Sequence, residues 1–563
     1  MTAATAANAN DLTAAQEAAL HMSPRAKLEI LGAMLLAMFL FALDQTVVGT
    51  ALPVIVTDLN GNSLYTWSVT IYLLTSTISG PIYGKLSDLY GRRPIVIFAV
   101  SLFLISSAGA GLSQTMEQFI LFRGLQGLGG GAIFPIALAV VADLYTPAER
   151  GKYLGSFGAV FGLSSLIGPG LGGFITDTFG WHWIFFINIP IGLISLFILW
   201  RLLPAIRRPD AGQNIDYLGA AVFTGAVAPF LIGLSNKQGH DWTDPVVGGL
   251  MLLGLVLGAV FLYVETRAVD PIVPLGLFRL RTFSISVAAT FFVGFAFLTA
   301  VIFLPRWFQT VAGASATESG YNLLPLIGGL IFSAVASGQI VARVGRYKWL
   351  MFGSLALLAV SLFLMTNLTP TTDRLTLWVW MFLAGLGIGP SLAVFTLIVQ
   401  NAVTPDRIGV ATSSLTFFQQ IGGTIGLTVA GTLFAERLVT EIPKQLVAAG
   451  VPKQMVDTFQ GGGGQLDLTG TGDLGARILA AVPDPFKAIV EPLIPNIVAG
   501  IHMALSNAIA ATFWIGIIAA AVAAILVLFL HEVPMRQTFE GGEALREPDP
   551  ESVPATGTGA AAG

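Results

Sequence analysis

The sequence predicts an all-α polytopic membrane protein: two six-helix halves with two further helices inserted between them, fourteen transmembrane helices in all. Three observations carry this expectation. The chain is 54% apolar and 11% charged, against roughly 25% charged in soluble domains. Apolar runs of about 20 residues, the length that crosses the hydrocarbon core, recur along its length. The first and last parts of the chain also repeat one another at an offset of 258 residues, the distance from Thr146 to Thr404.

Taken in order, the first six runs lie near 30–56, 64–86, 94–113, 117–142, 152–176 and 181–203. Two more fall near 215–235 and 246–267. The second six fall near 282–310, 319–343, 348–367, 375–402, 409–435 and 502–530. The corresponding divisions are an N-terminal tail (1–28), an N-terminal half (29–205), an inserted pair (206–270) and a C-terminal half (271–530). A disordered tail is expected over 531–563. The start of the chain lacks the apolar core of a signal peptide and reads as a mobile tail with a short helix near 14–21. Residues 436–500 form a long extracytoplasmic connection containing Gly461 to Gly464. It reads either as a tolerated insertion with a short amphipathic helix, or as a gate cover or a docking site for an envelope partner.

Lysine and arginine placement sets the orientation. One set of alternate loops holds Lys85, Arg92, Arg93, Arg150, Lys152, Arg201, Arg207, Arg208, Arg267, Arg279, Arg281, Arg343, Arg346, Lys348 and Arg407. The opposite short loops hold little beyond Lys237 and Arg374. Both termini are therefore expected in the cytoplasm.

Composition also excludes functions. A net charge of −4 offers no footprint for nucleic acid. There are no cysteines and only five scattered histidines, so no metal site is expected. No nucleophile–base pair suggests an enzyme.

The repeat aligns Thr146-Pro147-Ala148-Glu149-Arg150-Gly151 with Thr404-Pro405-Asp406-Arg407-Ile408-Gly409, Gly127 and Gly129 with Gly385 and Gly387, and Gly168 with Gly426. The turn from Gly84 to Pro94, with Asp88, Gly91, Arg92 and Arg93, recurs as Gly338 to Lys348, where Ala342 replaces the aspartate. Parallel repeated halves place a substrate site near the bilayer midplane, between them.

Charge inside a membrane costs about 2.5–3.5 kcal/mol on insertion scales, so embedded charges mark function. Asp44 in the first run and Arg123 in the fourth stand well inside their spans. They fit either a proton-carrying network or a fixed ion pair bracing the half. The fifth run carries small residues at helical spacing, with Gly162, Gly168, Pro169, Gly172 and Gly173 suited to tight packing and a bend at the proline. Polar and aromatic candidates for the substrate cavity are Gln45, Tyr72, Gln126, Phe161, Asn322, Asn401, Phe417 and Gln420.

Together these motifs resemble the major facilitator superfamily. The turn at Gly84–Arg93 is similar to its signature between helices 2 and 3, and Arg123 with Gly124 and Gln126 to its helix 4 motif. Gly168-Pro169-Gly170-Leu171-Gly172-Gly173 resembles the antiporter motif of exporters. Leu43-Asp44-Gln45-Thr46 and Trp181 to Pro190 resemble the fourteen-span drug:proton antiporter family. The resemblance implies a major facilitator fold and a proton-driven exporter of hydrophobic or amphipathic compounds in a bacterial inner membrane. It needs no cofactor beyond the proton gradient. Asp44 and Arg123 would couple protons, and Asp88 with Arg92 would form a cytoplasmic lock, with Asp143 and the Glu149-Arg150 turn as partners. Expected partners are membrane lipids and small hydrophobic substrates, with no nucleic acid and a monomeric state. The alternatives are a lipid or siderophore exporter working with an envelope partner, and a membrane receptor without turnover.

Overall fold

The computed structural model describes residues 21–60, 64–204, 216–237, 240–456, 474–481, 487 and 490–532. The N-terminal tail up to residue 20, the arginines at 207 and 208, the glycine run at 461–464 and the C-terminal tail from 533 lie outside the described residues.

The N-terminal half comprises α1 (Pro24–Asp58), α2 (Tyr65–Tyr90), α3 (Arg92–Gly111), α4 (Met116–Leu144), α5 (Pro147–Phe179), the short α6 (Trp183–Phe186) and α7 (Asn188–Leu202). The inserted pair is α8 (Tyr217–Asn236) and α9 (Leu250–Glu265), the latter entered through a π-type turn, Pro245–Gly249. The C-terminal half comprises α10 (Arg281–Thr310), the short α11 (Ala316–Asn322), α12 (Leu324–Val344), α13 (Lys348–Met365), α14 (Arg374–Ala402), α15 (Ile408–Ala448), α16 (Leu474–Ala481) and α17 (Ile494–Leu528).

Eleven helices among the described residues are long and apolar enough to cross a membrane, counting α6 with α7 as one span. Helices α2, α5 and α15 are as long, but carry glycine, serine and threonine where they pack on other helices. This lowers their apolarity without removing them from the bundle.

Local chemistry accounts for the interruptions. Pro190 has no N–H to offer the Phe186 carbonyl, so the expected run 181–203 breaks between α6 and α7. The break is satisfied from α3: Ser107 Oγ donates to the Phe185 carbonyl at 2.9 Å, and Asn188 Nδ2 donates to Ser107 at 3.0 Å. Pro325 likewise divides the expected run 319–343 into α11 and α12. Between α2 and α3 the chain turns through Gly91 at φ 89, a left-handed value that favours glycine.

The repeat is physically real. Helices α2 and α3 pack on α4 as α12 and α13 pack on α14, and α1 on α5 as α10 on α15. Gly127 lies against the Tyr72 backbone of α2 and Gly129 against Phe103 of α3. Their counterparts Gly385 and Gly387 lie against Leu326 of α12 and Leu358 of α13. A side chain at any of these glycines would meet backbone, which explains why glycines survive in both copies. The inserted pair packs on itself and on α2, with α9 turning most of its surface outward.

The connection expected over 436–500 is partly helical. Helix α15 continues to Ala448 and α17 begins at Ile494, so the two extend side by side beyond the expected spans. Glu441 joins them by accepting from Asn507 Nδ2 at 2.8 Å.

Candidate functional site

Two sites emerge, one buried inside the N-terminal half and one where the halves meet. In the first, the Asp44 Oδ2 of α1 accepts from Arg123 Nη1 of α4 at 2.5 Å. Gln126, one helical turn beyond Arg123, donates to Asp44 Oδ1 at 2.9 Å and accepts from Arg123 Nη1 at 2.7 Å. The three side chains close a triangle in which each touches the other two. Asp44 is 3% exposed and Arg123 2%. Tyr72 of α2 covers the guanidinium, its ring centroid 4.1 Å from Cζ, and Gln45 lies beside Tyr72. The i, i+3 spacing of Arg123 and Gln126 puts both on one face of α4, and α1 supplies the acid opposite.

The second site lies at the end of the bundle that carries most of the lysines and arginines, here called the basic end. Arg92 Nη1 donates to Asp88 at 2.5 Å and to Ser87 Oγ at 2.7 Å, and its Nε donates to Asp143 at 2.9 Å. This ties α2, α3 and α4 together. The remaining acceptor capacity of Asp88 crosses to the other half. Its Oδ1 accepts from the Gly409 amide at 3.0 Å and its Oδ2 from the Val410 amide at 2.8 Å. These are first-turn amides of α15, a helix with no side-chain cap of its own. Asp88 thus caps a helix of the opposite half, where the helix dipole also favours an anion.

The asymmetry between the repeats follows. Helix α5, the counterpart of α15, caps itself: Glu149 accepts from the Thr146 amide at 3.0 Å in a capping box. The residue equivalent to Glu149 is Arg407, which has no acceptor to offer, so α15 needs Asp88 and α5 needs nothing from Ala342. The Glu149-Arg150 turn is consequently not a partner of Asp88. Arg150 instead donates to the carbonyls of Tyr145 and Ala142 at 3.0 and 2.7 Å.

Glycines complete the seal. Gly84 of α2 rests on Gly409 and Ser413 of α15, and Gly151 of α5 rests on Gly338 of α12, each pair too close for a Cβ. Farther along α5, Gly155, Gly158 and Gly162 continue against α12, whereas Gly168 and Gly172 pack on Thr46, Thr50 and Val47 of α1. One helix therefore uses one set of small residues to hold the opposite half and another to hold its own. Gly173 meets open space. The side chain of Pro169 lies outside the described residues; α5 runs as one helix from Pro147 to Phe179.

The other cavity candidates are not gathered into one place. Gln420 accepts from Thr77 Oγ1 at 3.1 Å across the halves. Phe161 packs edge-on to Phe134, centroids 5.6 Å apart. Asn401 is buried at the basic end of α14. Asn322 and Phe417 are engaged by contacts of their own. Asn322 holds Arg374 Nε and Trp378 Nε1 at 2.9 and 3.2 Å near the opposite end. Phe417 packs on Phe223 of the inserted α8 at 5.1 Å. Arg93 is half-buried beside the lock, and Lys85 pairs with Asp270 of the α9–α10 linker.

Sequence reasoning also missed a third embedded charge. Arg306, in the apolar run of α10, stacks on Phe434 at 4.6 Å. The rule that singled out Asp44 and Arg123 applies to it equally. Among the described residues no cluster of three or more metal-ligating side chains exists.

A helical membrane bundle of two repeated halves, with a buried charged triad in one and a helix-capping lock between them, defines a polytopic membrane transporter. The sequence profile of the Major Facilitator Superfamily matches residues 34–427, more than half of the chain, and the chain belongs to that family. The multidrug transporter protein MdtP of Bacillus subtilis is 36% identical over 505 residues, covering 89% of this chain and 92% of its own. Multidrug resistance protein 3 of the same organism is 34% identical, covering 91% and 97%. The efflux pump dotC of the fungus Dothistroma septosporum is 31% identical, covering 82% and 79%. Among solved structures, the proton:xylose symporter XylE superposes with a TM-score of 0.58 over 92% of this chain and 99% of its own. At 15% identity that likeness speaks for the fold alone.

Proposed function

We propose that this protein is a proton-coupled antiporter of the fourteen-span drug-exporting type, moving hydrophobic or amphipathic compounds out of the cytoplasm by alternating access. The observation that carries the reading is the Asp44–Arg123–Gln126 triangle, buried in a half whose α5 is packed against α12 along its basic-end half. The full-length multidrug and efflux relatives support the substrate class. Helices α2, α5 and α15 complete fourteen spans, and the basic end is the cytoplasmic one. The protein is a multi-pass component of the bacterial cytoplasmic membrane with both termini inside, acting as a monomer among lipids and driven by the proton gradient.

In this reading the structure is the cytoplasm-closed state. Asp44 is the acid that receives a proton from outside. The pair then loosens, and Arg123 retains Gln126 as a partner. That change in α1 reaches α5 directly, because Thr46 Oγ1, two residues after Asp44, donates to the Ser164 carbonyl at 3.2 Å. The outer half of α5 is thereby linked to the protonation step, and its inner half to the seal.

The test uses proteoliposomes loaded with a pH-sensitive dye and a cationic or neutral amphiphilic drug. Asp44→Asn should keep drug binding and lose drug-induced proton movement. Full coupling in that variant would remove Asp44 from the mechanism.

A further inference from the structure

Beside the lock is a cavity of about 500 Å³ that the coupling scheme above does not use. Its walls come from both halves and from the linker that follows the inserted pair. The charged groups lining it are Lys85 and Asp88 of α2, Glu265 at the end of α9, Asp270 and Arg279 of the linker, and Arg407 of the turn before α15. Most of these are engaged. Asp88 is held by Arg92 and α15, and Lys85 by Asp270.

Glu265 is different. It is 3% exposed, and neither carboxylate oxygen has a hydrogen-bond partner. The amides of Ile272 and Val273 in the linker are its nearest donors and favour the charged form, but less than burial opposes it. Asp216, at the N-terminus of α8, faces it as a second acid, with Lys85 the nearby cation. Glu265 is also the last residue of α9, at the helix end where the dipole opposes a negative charge. A charged carboxylate buried there recovers only part of the cost of leaving water from those two amides and Lys85; the neutral acid does not bear that cost.

We propose that Glu265 is a proton-binding site on the cytoplasmic side, filled while the cytoplasmic mouth is closed and emptied when it opens, so that cytoplasmic acid holds the transporter closed. The site rests on the alternating-access reading above. Opening must separate Asp88 from Gly409 and Val410, and Val410 is itself a wall of the cavity. Water then reaches Glu265, which releases its proton to the cytoplasm as a carboxylate within reach of Lys85. Because the closed state holds this proton more tightly, closure is favoured at low pH and lost as pH rises. One proton changes the closed-to-open ratio by at most about tenfold per pH unit.

The chain has no native cysteine, so spin labels at cysteines replacing Lys152 of α5 and Arg343 of α12 report the cytoplasmic mouth alone. Distances are measured from pH 5 to 9 on the full chain in lipid nanodiscs, each variant beside a parent with the same residue at position 44, Asp in one series and Asn in the other, so that the response of that acid is common to both. The parent should open as pH rises. Glu265→Gln should remain closed across the range, matching the parent at low pH and so showing that it is folded. Asp216→Asn, which removes the neighbouring negative charge, should move the transition to lower pH. If Glu265→Gln opens with pH like its parent, the proton site is refuted and the transporter reading stands. If no chain, including one with intact Asp44, ever changes its spacing with pH or drug, both are refuted.

Discussion

Removing the charge of Asp88 should open the basic end of the bundle. The side chain is 3% exposed and spends one bond on Arg92 and two on the α15 amides. Hydrogen bonds to a charged group contribute about 1.5–3 kcal/mol each. In Asp88→Asn one carbonyl oxygen can still accept from one amide, but the NH2 group faces the other amide, donor against donor. One charge-assisted bond is lost and the second is reduced to a neutral one, a cost to the closed state of about 2–4 kcal/mol. Arg92 keeps Asp143, so the N-terminal half stays together. At 1.4 kcal/mol per decade the closed-to-open ratio should fall about 30- to 700-fold. The labelled pair at 152 and 343 measures it by electron–electron resonance: the short-distance population should shrink in Asp88→Asn and nearly vanish in Asp88→Ala. Unchanged distances in both variants would refute the capping account of the lock. A variant of Ala342, whose position has no helix to cap, should leave the distribution as it is.

Gly151→Val and Gly338→Val should each expel the closed state, since a Cβ at either position meets the other's backbone; export would fall by tenfold or more while monomer yield and helicity hold. Asp44→Ala should leave Arg123 buried without a counter-charge and lower thermal stability in detergent by about 3–5 kcal/mol. Adding Arg123→Leu should recover much of that loss, and strictly additive losses would contradict the ion pair. Breaking the α1–α5 contact with Gly168→Leu should uncouple the triad from the seal, read as drug binding retained with drug-driven proton movement reduced at least tenfold.

The membrane bundle was legible because its signals are local. Twenty apolar residues, a proline without an N–H or a lysine-rich turn each act on the segment that contains them. The repeat was legible because both copies face the same constraint: Gly127 and Gly385 stand where another helix's backbone leaves no room for a side chain. The embedded Asp44 and Arg123 stood out because charge in an apolar run is costly wherever the chain folds. Arg306 satisfied the same rule and was missed because it lies close to the end of its run, beside Pro305.

The lock shows where local reading stops. Its aspartate was visible, and so was its absence in the second copy, but the reason for the difference was not. Asp88 caps α15 from 322 residues away along the chain, and no spacing rule connects positions so distant. The same holds for Glu265, which reads in sequence as an ordinary acid at a helix end and becomes a buried, unpartnered carboxylate only when the linker folds over it. Sequence alone determined that the chain crosses a membrane as two repeated halves and where its embedded acid and base lie, because burial in lipid is imposed segment by segment. Which carboxylates find donors and which do not was decided by the tertiary structure, since hydrogen bonds are satisfied by whatever the fold brings within about 3 Å.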